Sequence, residues 1–481
     1  MPALSAGPMP LVDYYGLPAV RARMAEYLDT GADGAPTATT IAVLEPGASR
    51  FPTWDGCARL PPGALPDALA RGGDVARSLD DTASLLVHLD LDYQNTTDPG
   101  EPFVHPGDVF FKLEPAYRAT RAVLQRFGLE PIVLMTGRGY HFTAAVPLGA
   151  PVVDRLAALA PGVPAWFATQ SRRAVAFPRP AIDARVARAA TGLGLVLEHA
   201  AHLVLAGAAG ASTVPVVVNG TVVGEVGPAG HAAVSIDLSF AGDPLDARHI
   251  RLAFGGYQFH RLRPDIVGAR VATLPPLVAL PRRDGDDWQA LVAGGRGTAA
   301  GAAAAAREEA HIPDCADGLG RLLDDYAGSA LARAHADFYA VAPEPPERWP
   351  DTYDLVGVAD WPPCLSAALR QPNDLLLQPA HLQHLTRGLL AAGWHPRHIA
   401  GLVWSRYARD HGWGDRWERR MDAATRADFD VRVFAGLVAT GLDRWVDLNC
   451  VSAQEKGLCP RAGCGRDLRE VRDRLREQYP S

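Results

Sequence analysis

Residues 85–95 have the sequence LLVHLDLDYQN, an apolar run that contains two aspartates two positions apart. Because alternate residues of a β-strand point to the same side, a strand here places Asp90 and Asp92 on one face and sends Leu89 and Leu91 into the core. Two carboxylates at this spacing can bind a pair of divalent cations, an arrangement used in phosphoryl transfer. Asp-x-Asp alone also occurs in nucleotide-sugar transferases, nucleases and ordinary surface strands.

A second motif lies in residues 131–146, PIVLMTGRGYHFTAAV, where two apolar runs flank a glycine-rich turn. The glycines on either side of Arg138 allow the backbone to approach a ligand and to turn its N–H groups toward an anion. Arg138 and His141 can add charge-assisted hydrogen bonds to a triphosphate. The alternative is an ordinary hairpin turn. The candidate nucleotide-binding residues of this motif are Thr136, Gly137, Arg138, Gly139 and His141.

A third segment, near the middle of the chain, contains another aspartate directly after a short apolar run. Asp237 therefore predicts a third carboxylate at the end of a strand; the alternative is a strand-end cap, and Asp243 and Asp246 compete for its role. Downstream, Arg251 and His260 flank a pair of glycines, which is another place where the backbone can approach phosphate.

Taken in this order, the three segments resemble the catalytic subunit of the archaeo-eukaryotic primases. The family's pattern is an Asp-x-Asp strand, a Ser-Gly-Arg-Gly-aromatic-His motif, and a later Asp followed by an Arg and a His. The resemblance covers about residues 80–265, with Thr136 where serine is usual and a longer interval between Arg251 and His260 than in the family. The zinc-binding insert of many members is absent or metal-free here, because this region contains no cysteine cluster.

The resemblance implies a nucleotidyltransferase that uses Mg²⁺ or Mn²⁺. Under it, the catalytic and metal-binding residues are Asp90, Asp92 and Asp237. The phosphates of the incoming nucleotide are bound by Thr136, Gly137, Arg138, Gly139, His141, Arg251 and His260.

Four of the six cysteines lie in the last quarter of the chain: Cys364, Cys450, Cys459 and Cys464. Four thiolates can bind a structural Zn²⁺ or an iron–sulfur cluster. Zinc sites more often use two close pairs, whereas here only Cys459 and Cys464 are close. The wide split, with Trp361-Pro-Pro-Cys before a helical region and Cys-Pro after it, resembles the C-terminal domain of the primase large subunit. That domain carries a [4Fe–4S] cluster, which is the ligand we expect, with Zn²⁺ as the alternative.

Hydrophobic patterning predicts an α/β (α+β) primase-type catalytic domain over residues 1–285, a Gly/Ala-rich linker at 286–312 and an all-α cysteine-cluster domain over 313–481. A helix is expected at Pro115–Phe127, with its proline in the first turn and Gly128 just past its end. Strands are expected at Leu85–Leu91, Pro131–Met135, Phe142–Val146, Val214–Val218 and Ala233–Leu238. The helical pattern of the tail covers Leu375–Arg432, with further helices at His398–Tyr407 and Phe434–Leu448.

The tail also interleaves arginines with tryptophans, a combination suited to single-stranded nucleic acid or a triphosphate. Amphipathic helices that bury Trp and expose Arg give the same pattern. The arginines are Arg387, Arg397, Arg406, Arg409, Arg416, Arg419 and Arg420, and the tryptophans are Trp394, Trp404, Trp413 and Trp417.

The composition is that of a soluble protein with more than one domain: 481 residues, 48% hydrophobic and 21% charged. The net charge of −7 gives no sign of nucleic-acid binding, although a local basic groove matters more than the total. Polar residues interrupt the apolar stretch 191–223, so no membrane span is expected. We expect a cytoplasmic protein, because no secretory signal opens the chain and the cysteines form no disulfide framework.

The sequence therefore predicts a DNA-dependent primase or primase-polymerase that binds single-stranded DNA and nucleoside triphosphates. It identifies no helicase or other replication or repair partner. An alternative within the family is a polymerase that fills gaps or bypasses lesions. Alternatives from other classes are a nucleotide-sugar transferase that uses Asp90 and Asp92, and an inactive nucleic-acid-binding scaffold.

Overall fold

The computed structural model describes residues 9–31, 33–44, 57–164, 166–167, 177–178, 180–219, 232–239, 245, 248–370, 375–408, 422–443 and 445–479. Several residues considered above lie outside these ranges: Asp243, Asp246, Arg409, Trp413, Arg416, Trp417, Arg419 and Arg420.

The described residues form short strands and mostly longer helices. The strands are β1 Ile41–Leu44, β2 Ala58–Leu60, β3 Asp74–Ser78, β4 Ser84–Asn95, β5 Ile132–Met135, β6 Gly139–Pro147, β7 Val216–Val218, β8 Ala232–Asp237, β9 His249–Arg251, β10 Gly256–Tyr257, β11 Leu277–Val278 and β12 Leu280–Pro281. The helices of the first 312 residues are α1 Leu11–Gly16, α2 Pro18–Glu26, α3 Leu65–Ala70, α4 Glu101–Val104, α5 Pro106–Arg126, α6 Pro151–Leu159, α7 Ala184–Ala208, α8 Phe259–Leu262, α9 Pro264–Val267, α10 Ala269–Ala272, α11 Trp288–Ala290 and α12 Thr298–Ala305.

The remaining helices are α13 Ala316–Ala327, α14 Ala330–Ala340, α15 Pro363–Arg370, α16 Pro379–Ala391, α17 Pro396–Tyr407, α18 Ala423–Ala439, α19 Cys450–Glu455 and α20 Leu468–Gln478. Short 3₁₀ turns occur at Pro62–Ala64, Pro346–Asp351, Tyr353–Leu355 and Leu375–Leu377, and a π turn at Leu291–Gly295. A mixed α/β protein with a helical C-terminal part is thus confirmed.

The largest sheet has six strands in the order β12-β5-β6-β4-β8-β7. β4 lies near its centre and pairs antiparallel with both β6 and β8, while β7 pairs parallel with β8. Helices α5 and α7 pack against each other and against β4. All five strands predicted from the sequence are present, with shifted ends, because their apolar runs line the core of this sheet.

A second sheet, in the order β2-β1-β3-β9, stands beside the first. It carries Arg251 at the end of β9, where Ala76 of β3 is the paired residue. Helix α1 belongs to the same region, and its two tyrosines, Tyr14 and Tyr15, are buried. The N-terminal residues are therefore part of the core that supports the candidate site.

The predicted helix at Pro115–Phe127 is longer than expected. Helix α5 begins at Pro106, which occupies the first helical position, so Pro115 lies inside the helix rather than in its first turn. Gly128 ends the helix as expected, since its φ of 66° belongs to the left-handed region. Buried residues on one side of α5 explain why the helix continues through the proline.

Among the described helices, α7 alone is long and apolar enough to cross a membrane. However, 78% of its most apolar window is buried inside the protein. Its buried residues include Glu198 and His202, whose polar partners include Arg432 and Thr440. These features are those of a core helix.

The predicted linker at 286–312 contains the short, alanine-rich helix α12. Much of it is packed against the rest of the chain. Thr298 exchanges hydrogen bonds with the backbone of Met9, at 2.8 and 2.9 Å, and Arg296 is buried. Just beyond the linker, the backbone of Pro313 and Cys315 hydrogen-bonds to Ala145 of β6. The proposed domain boundaries stay a prediction.

In the tail, α16 and α17 match the helical pattern of Leu375–Arg432 and the helix expected at His398–Tyr407. The third helix was placed wrongly at Phe434–Leu448, because α18 begins at Ala423 and ends at Ala439. Asp422 caps its first turn by accepting a hydrogen bond from the Thr425 N–H. Gly441, at a φ of 72°, follows its end.

Candidate active site

Three strands bring the predicted carboxylates and histidine together. In the register of the six-stranded sheet, Asp90 of β4 faces Asp237 of β8 on one side and His141 of β6 on the other. Directly paired residues share a face of the sheet, so the three side chains form one row across it. The His141 Nε2 lies 3.7 Å from the Asp90 Oδ1.

Asp92 extends this row along β4. It is two residues from Asp90, so that both point to the same face, and it is paired with Gly139 of β6. The Arg138 guanidinium donates to the Asp92 Oδ2 at 2.6 Å. The structure therefore places Asp90, Asp92 and Asp237 as a group, with Arg138 as a direct counter-ion.

Within this group, Asp90 occupies a position where its negative charge is unfavourable. Burial, and then the nearby charges of Asp92 and Asp237, raise the pKa of Asp90 well above its ordinary value. Its Oδ1 is buried, and no described residue gives it a hydrogen bond. Three carboxylates on one face of the sheet, with a buried oxygen that lacks a hydrogen bond among the described residues, suit divalent cations, which relieve like-charge repulsion.

His141 lies beside a second histidine. Burial, followed by the positive fields of His88, Arg251 and Arg138, holds the pKa of His141 well below its ordinary value. The two imidazole rings meet edge to face at 5.1 Å, and His88 hydrogen-bonds to Thr143 at 3.0 Å. His141 is thus a neutral imidazole that can donate one hydrogen bond.

The turn between β5 and β6 is a tight hairpin in which the Thr136 N–H donates to the Gly139 carbonyl at 2.9 Å. Both glycines are required by close packing. A Cβ on Gly139 would lie 1.8 Å from the Leu91 carbonyl oxygen, and one on Gly137 would lie 2.3 Å from the Tyr257 ring. The glycines thus allow neighbouring parts of the chain to pack closely, as expected if the motif is an ordinary hairpin turn. The same turn places Arg138 next to Asp92.

Arg251 reaches the site from the second sheet. Its guanidinium lies 4.5 Å from the centre of the Tyr257 ring and bonds to the Asp74 carboxylate at 3.1 Å. Its positive charge is one of the causes of the lowered pKa of His141, and the Tyr257 ring on which it stacks packs against Gly137 of the turn.

His260 is not brought into this group by its described contacts. It is buried, its Nε2 lies 3.2 and 3.1 Å from the carbonyl oxygens of Leu274 and Pro275, and its ring packs 4.5 Å from Phe103. Through these contacts His260 packs α8, and the phosphate-binding role that the resemblance implies for it stays a prediction.

Several residues of the site were not singled out in the sequence. His88 could have been found, because it precedes Asp90 by two positions and therefore shares its face of β4. Arg296 donates to the carbonyl oxygens of Thr136 and Gly137 at 3.0 and 2.9 Å and so supports the hairpin from a distant segment. No local pattern signals Arg296 or Tyr257.

The four tail cysteines also converge. Burial, together with the other three thiols, raises the pKa of Cys364 to about 12, with Cys459 exerting the largest effect among the thiols. The sulfur atoms of Cys450 and Cys464 both lie 3.8 Å from the Arg466 carbonyl oxygen. Cys364 lies on α15, Cys450 is the first residue of α19, and Cys459 and Cys464 lie in the segment that follows α19. The four thiols of the tail therefore come together from separate parts of the chain.

Neither group has the closed geometry of a bound metal. In the described ranges, no three His, Cys, Asp or Glu side chains are close enough to form a group that could hold a metal ion as they stand. The fit of the carboxylates to hard cations rests on the partnerless Asp90 oxygen and the mutual repulsion of the three aspartates. The fit of the thiols rests on their convergence and on sulfur as the donor atom.

The described arginines of the tail have acidic partners. Arg387 binds Asp443 through two hydrogen bonds of 2.7 and 2.6 Å, Arg397 bonds to Asp428 at 2.5 Å, and Arg406 lies 3.3 Å from Asp354. Trp404 packs edge to face on Trp349 at 5.0 Å. These contacts match the packing alternative for the arginine and tryptophan pattern.

Comparisons of the chain with models of protein families, with curated proteins and with solved structures find no match.

Proposed function

We propose that this chain is a primase or primase-polymerase, which joins nucleotides on a single-stranded DNA template by nucleotidyl transfer. The observation that carries the proposal is the row of Asp237, Asp90 and His141 across three paired strands, extended by Asp92 with its partner Arg138. Three carboxylates beside a charged donor, Arg138, and a neutral donor, His141, suit a triphosphate that is bound through divalent cations.

In this proposal, Asp90, Asp92 and Asp237 hold Mg²⁺ or Mn²⁺. When bound, the cations stabilise the negative charge of the attacking and leaving oxygens. Arg138 and Arg251 orient the phosphates, and neutral His141 donates a hydrogen bond to a phosphate oxygen. His88 and Thr143 hold the His141 ring from behind, since both lie on the same face of the sheet. No described residue needs to act as a general base.

The cysteines support the second half of the proposal. Cys364, Cys450, Cys459 and Cys464 are proposed to bind a [4Fe–4S] cluster, or Zn²⁺ as the alternative, and to order the helical tail around it. The tail would then help to hold the first nucleotide during initiation. Extension of an existing primer needs the carboxylate site alone, so a gap-filling or translesion polymerase is the closest alternative.

The test of the polymerase site uses Asp90→Asn and Asp92→Asn in the full chain. Each should lower the rate of nucleotide incorporation on single-stranded DNA by about 10³-fold or more, because one cation ligand is lost and charge stabilisation in the transition state fails. The measurement is product formation from radiolabelled NTPs and dNTPs with Mg²⁺ or Mn²⁺.

The matched control is Asp317→Asn, an exposed aspartate in the first turn of α13. It removes the same charge from the exposed surface of α13 and should leave incorporation unchanged. Full activity in both Asp90→Asn and Asp92→Asn would exclude the proposed site. Incorporation by the wild type with a primer, and none without one, would favour the gap-filling alternative.

A further inference from the structure

Helix α1 holds a loop that reaches the candidate site. The loop, residues 252–256, leads from β9 to Tyr257 of β10, whose ring packs against the Gly137 backbone. Helix α1 contacts it twice. The Tyr14 hydroxyl donates to the Phe254 carbonyl at 3.0 Å, and the Gly256 N–H donates to the Tyr15 hydroxyl at 2.8 Å.

The loop has an unfavourable backbone at its centre. Phe254 has a φ of 61°, in the left-handed region that a bulky side chain rarely adopts, and its side chain is completely buried. Such a conformation persists where the surrounding contacts impose it, and it is common at functional sites. The two tyrosine hydroxyls and the Ala279 carbonyl, which accepts from the Phe254 N–H at 2.7 Å, supply those contacts.

Asp74 joins the loop to Arg251. This carboxylate is fully buried and accepts from Arg251 at 3.1 Å, from the Gln258 N–H at 3.0 Å and from the Gln258 side chain at 2.9 Å. Arg251 also donates to the Gly256 carbonyl oxygen, the residue whose N–H Tyr15 holds. The packing is tight, because a Cβ on Gly256 would lie 2.7 Å from the Tyr15 hydroxyl and 2.9 Å from Asp74.

We propose that Tyr15, acting with Asp74 through Gly256, is a positioning residue for nucleotide binding: it fixes the direction in which Arg251 presents its guanidinium to the phosphates. The inference rests on the proposed function. It assigns a role to the N-terminal helix, for which the sequence offered no chemistry. Because Tyr15 does not face the carboxylate row itself, its effect should appear in nucleotide affinity and leave the chemical step almost unchanged.

The experiment measures KM and kcat for nucleoside triphosphate in the full-length Tyr15→Phe variant, together with direct binding of MgATP. The substitution keeps the ring and removes the hydroxyl that accepts from Gly256. We expect KM and the dissociation constant to rise about ten-fold, as for the loss of one buried hydrogen bond, with kcat within about two-fold. Tyr326→Phe is the matched control, since it removes a buried hydroxyl that bonds to His335 in the helical region.

A double-variant cycle separates positioning from general destabilisation. In an Arg251→Gln background, Tyr15→Phe should raise KM no further, because the residue through which it acts is gone. Additive effects would overturn the inference. If Tyr15→Phe folds poorly by circular dichroism, Asp74→Asn tests the same link, and equal KM values for Asp74→Asn and the wild type would likewise overturn it.

The outcomes also distinguish the two proposals. A wild-type chain that neither binds MgATP nor incorporates nucleotide refutes the proposed function and this inference with it. A wild type that does both, accompanied by a Tyr15→Phe variant with unchanged KM and MgATP affinity, refutes the positioning role alone.

Discussion

The carboxylate row concentrates negative charge where burial makes it unfavourable. Asp90 lies between Asp92 and Asp237, its Oδ1 has no hydrogen-bond partner among the described residues, and its pKa is raised first by burial and then by its neighbours. A protein that evolved for stability alone would replace one of the three. Retaining them is understandable if cations bind there, since sites built for function commonly reduce stability.

This argument predicts that Asp90→Asn stabilises the protein in metal-free buffer. The folded state holds the Asp90 proton more tightly than the unfolded chain does, so the carboxyl favours folding at low pH, and this contribution is lost as the pH rises through the raised pKa. At pH 8, Asp90→Asn should therefore increase Tm by about 1–3 °C for a chain of this size, and the difference should shrink toward pH 4. Differential scanning calorimetry in chelator measures both.

Adding Mg²⁺ or Mn²⁺ should reverse the order of stability. Cations that bind the native site stabilise the wild type by mass action and stabilise Asp90→Asn much less. Asp317→Asn is again the control, and its Tm should follow the wild type in both buffers. A wild-type Tm that does not respond to either cation would argue against a metal site at these aspartates.

At the scale of elements, α7 joins the six-stranded sheet to the tail through buried charges. Glu198 of α7 is 1% exposed and accepts from Arg432 of α18 at 3.1 Å and from His335 of α14 at 3.1 Å. Arg432 also donates to the Tyr339 hydroxyl at 2.9 Å. Burial alone would raise the pKa of Glu198, but His335 and Arg432 outweigh it and lower the pKa to about 2.

Breaking the buried ion pair between Arg432 and Glu198 should lower the stability of the protein. Arg432→Met leaves Glu198 buried beside His335 without its guanidinium, and we expect the free energy of unfolding to fall by about 3–5 kcal/mol. The matched control is Arg155→Met, which breaks an exposed pair with Asp324 and should cost about 1 kcal/mol or less. Urea unfolding at pH 7 measures both, and equal losses would contradict a special role for the buried pair.

The ion pairs of Glu198 also make the stability of the protein depend on pH. Because the folded pKa of Glu198 is depressed, its contribution is complete above its ordinary pKa of 4.5 and is lost as the pH falls from there to about 2. The difference in stability between the wild type and Arg432→Met should therefore narrow over this pH range.

Local pattern was sufficient for the elements that carry the site. Alternation in residues 85–95 predicted β4 and the shared face of Asp90 and Asp92, and the glycine pair predicted the turn that presents Arg138. It was insufficient where distant segments decide the outcome. Helix α5 continues through Pro115 because it packs on α7 and the sheet.

Tertiary contacts also explain why the sequence did not single out some residues of the site. The resemblance implied phosphate binding by His260, whose described partners are the carbonyl oxygens of Leu274 and Pro275. Arg296 and Tyr15 support the site from segments that are far from it in the chain, so no window of sequence around the motifs contains them. Side chains that act through backbone contacts leave no periodic signal.

At the scale of the whole molecule, the tail is tied together by residues from its two ends. Cys364 lies on α15, before the long helices α16 to α18, and the other three thiols follow them. Arg387 of α16 bonds to Asp443 and Asp447, which lie in the connection from α18 to α19. A cluster bound by the four thiols would close this arrangement, and loops of such length gain most from a cross-link in the entropic model.

A cluster bound by the four tail cysteines has a spectroscopic and a functional consequence. Cys459→Ser should abolish a broad absorption band near about 400 nm in anaerobically purified protein, because a thiolate ligand of the iron–sulfur cluster is lost. Unprimed synthesis should then fall by at least about ten-fold more than extension of a primed template, since the carboxylate row remains intact. Cys315→Ser is the matched control: that thiol is buried beside β6 of the six-stranded sheet, and burial raises its pKa to about 12. It should keep the band and both activities. A colourless wild type that contains zinc would replace the cluster by the alternative metal, and equal losses of initiation and extension in Cys459→Ser would contradict the division of labour between the two halves.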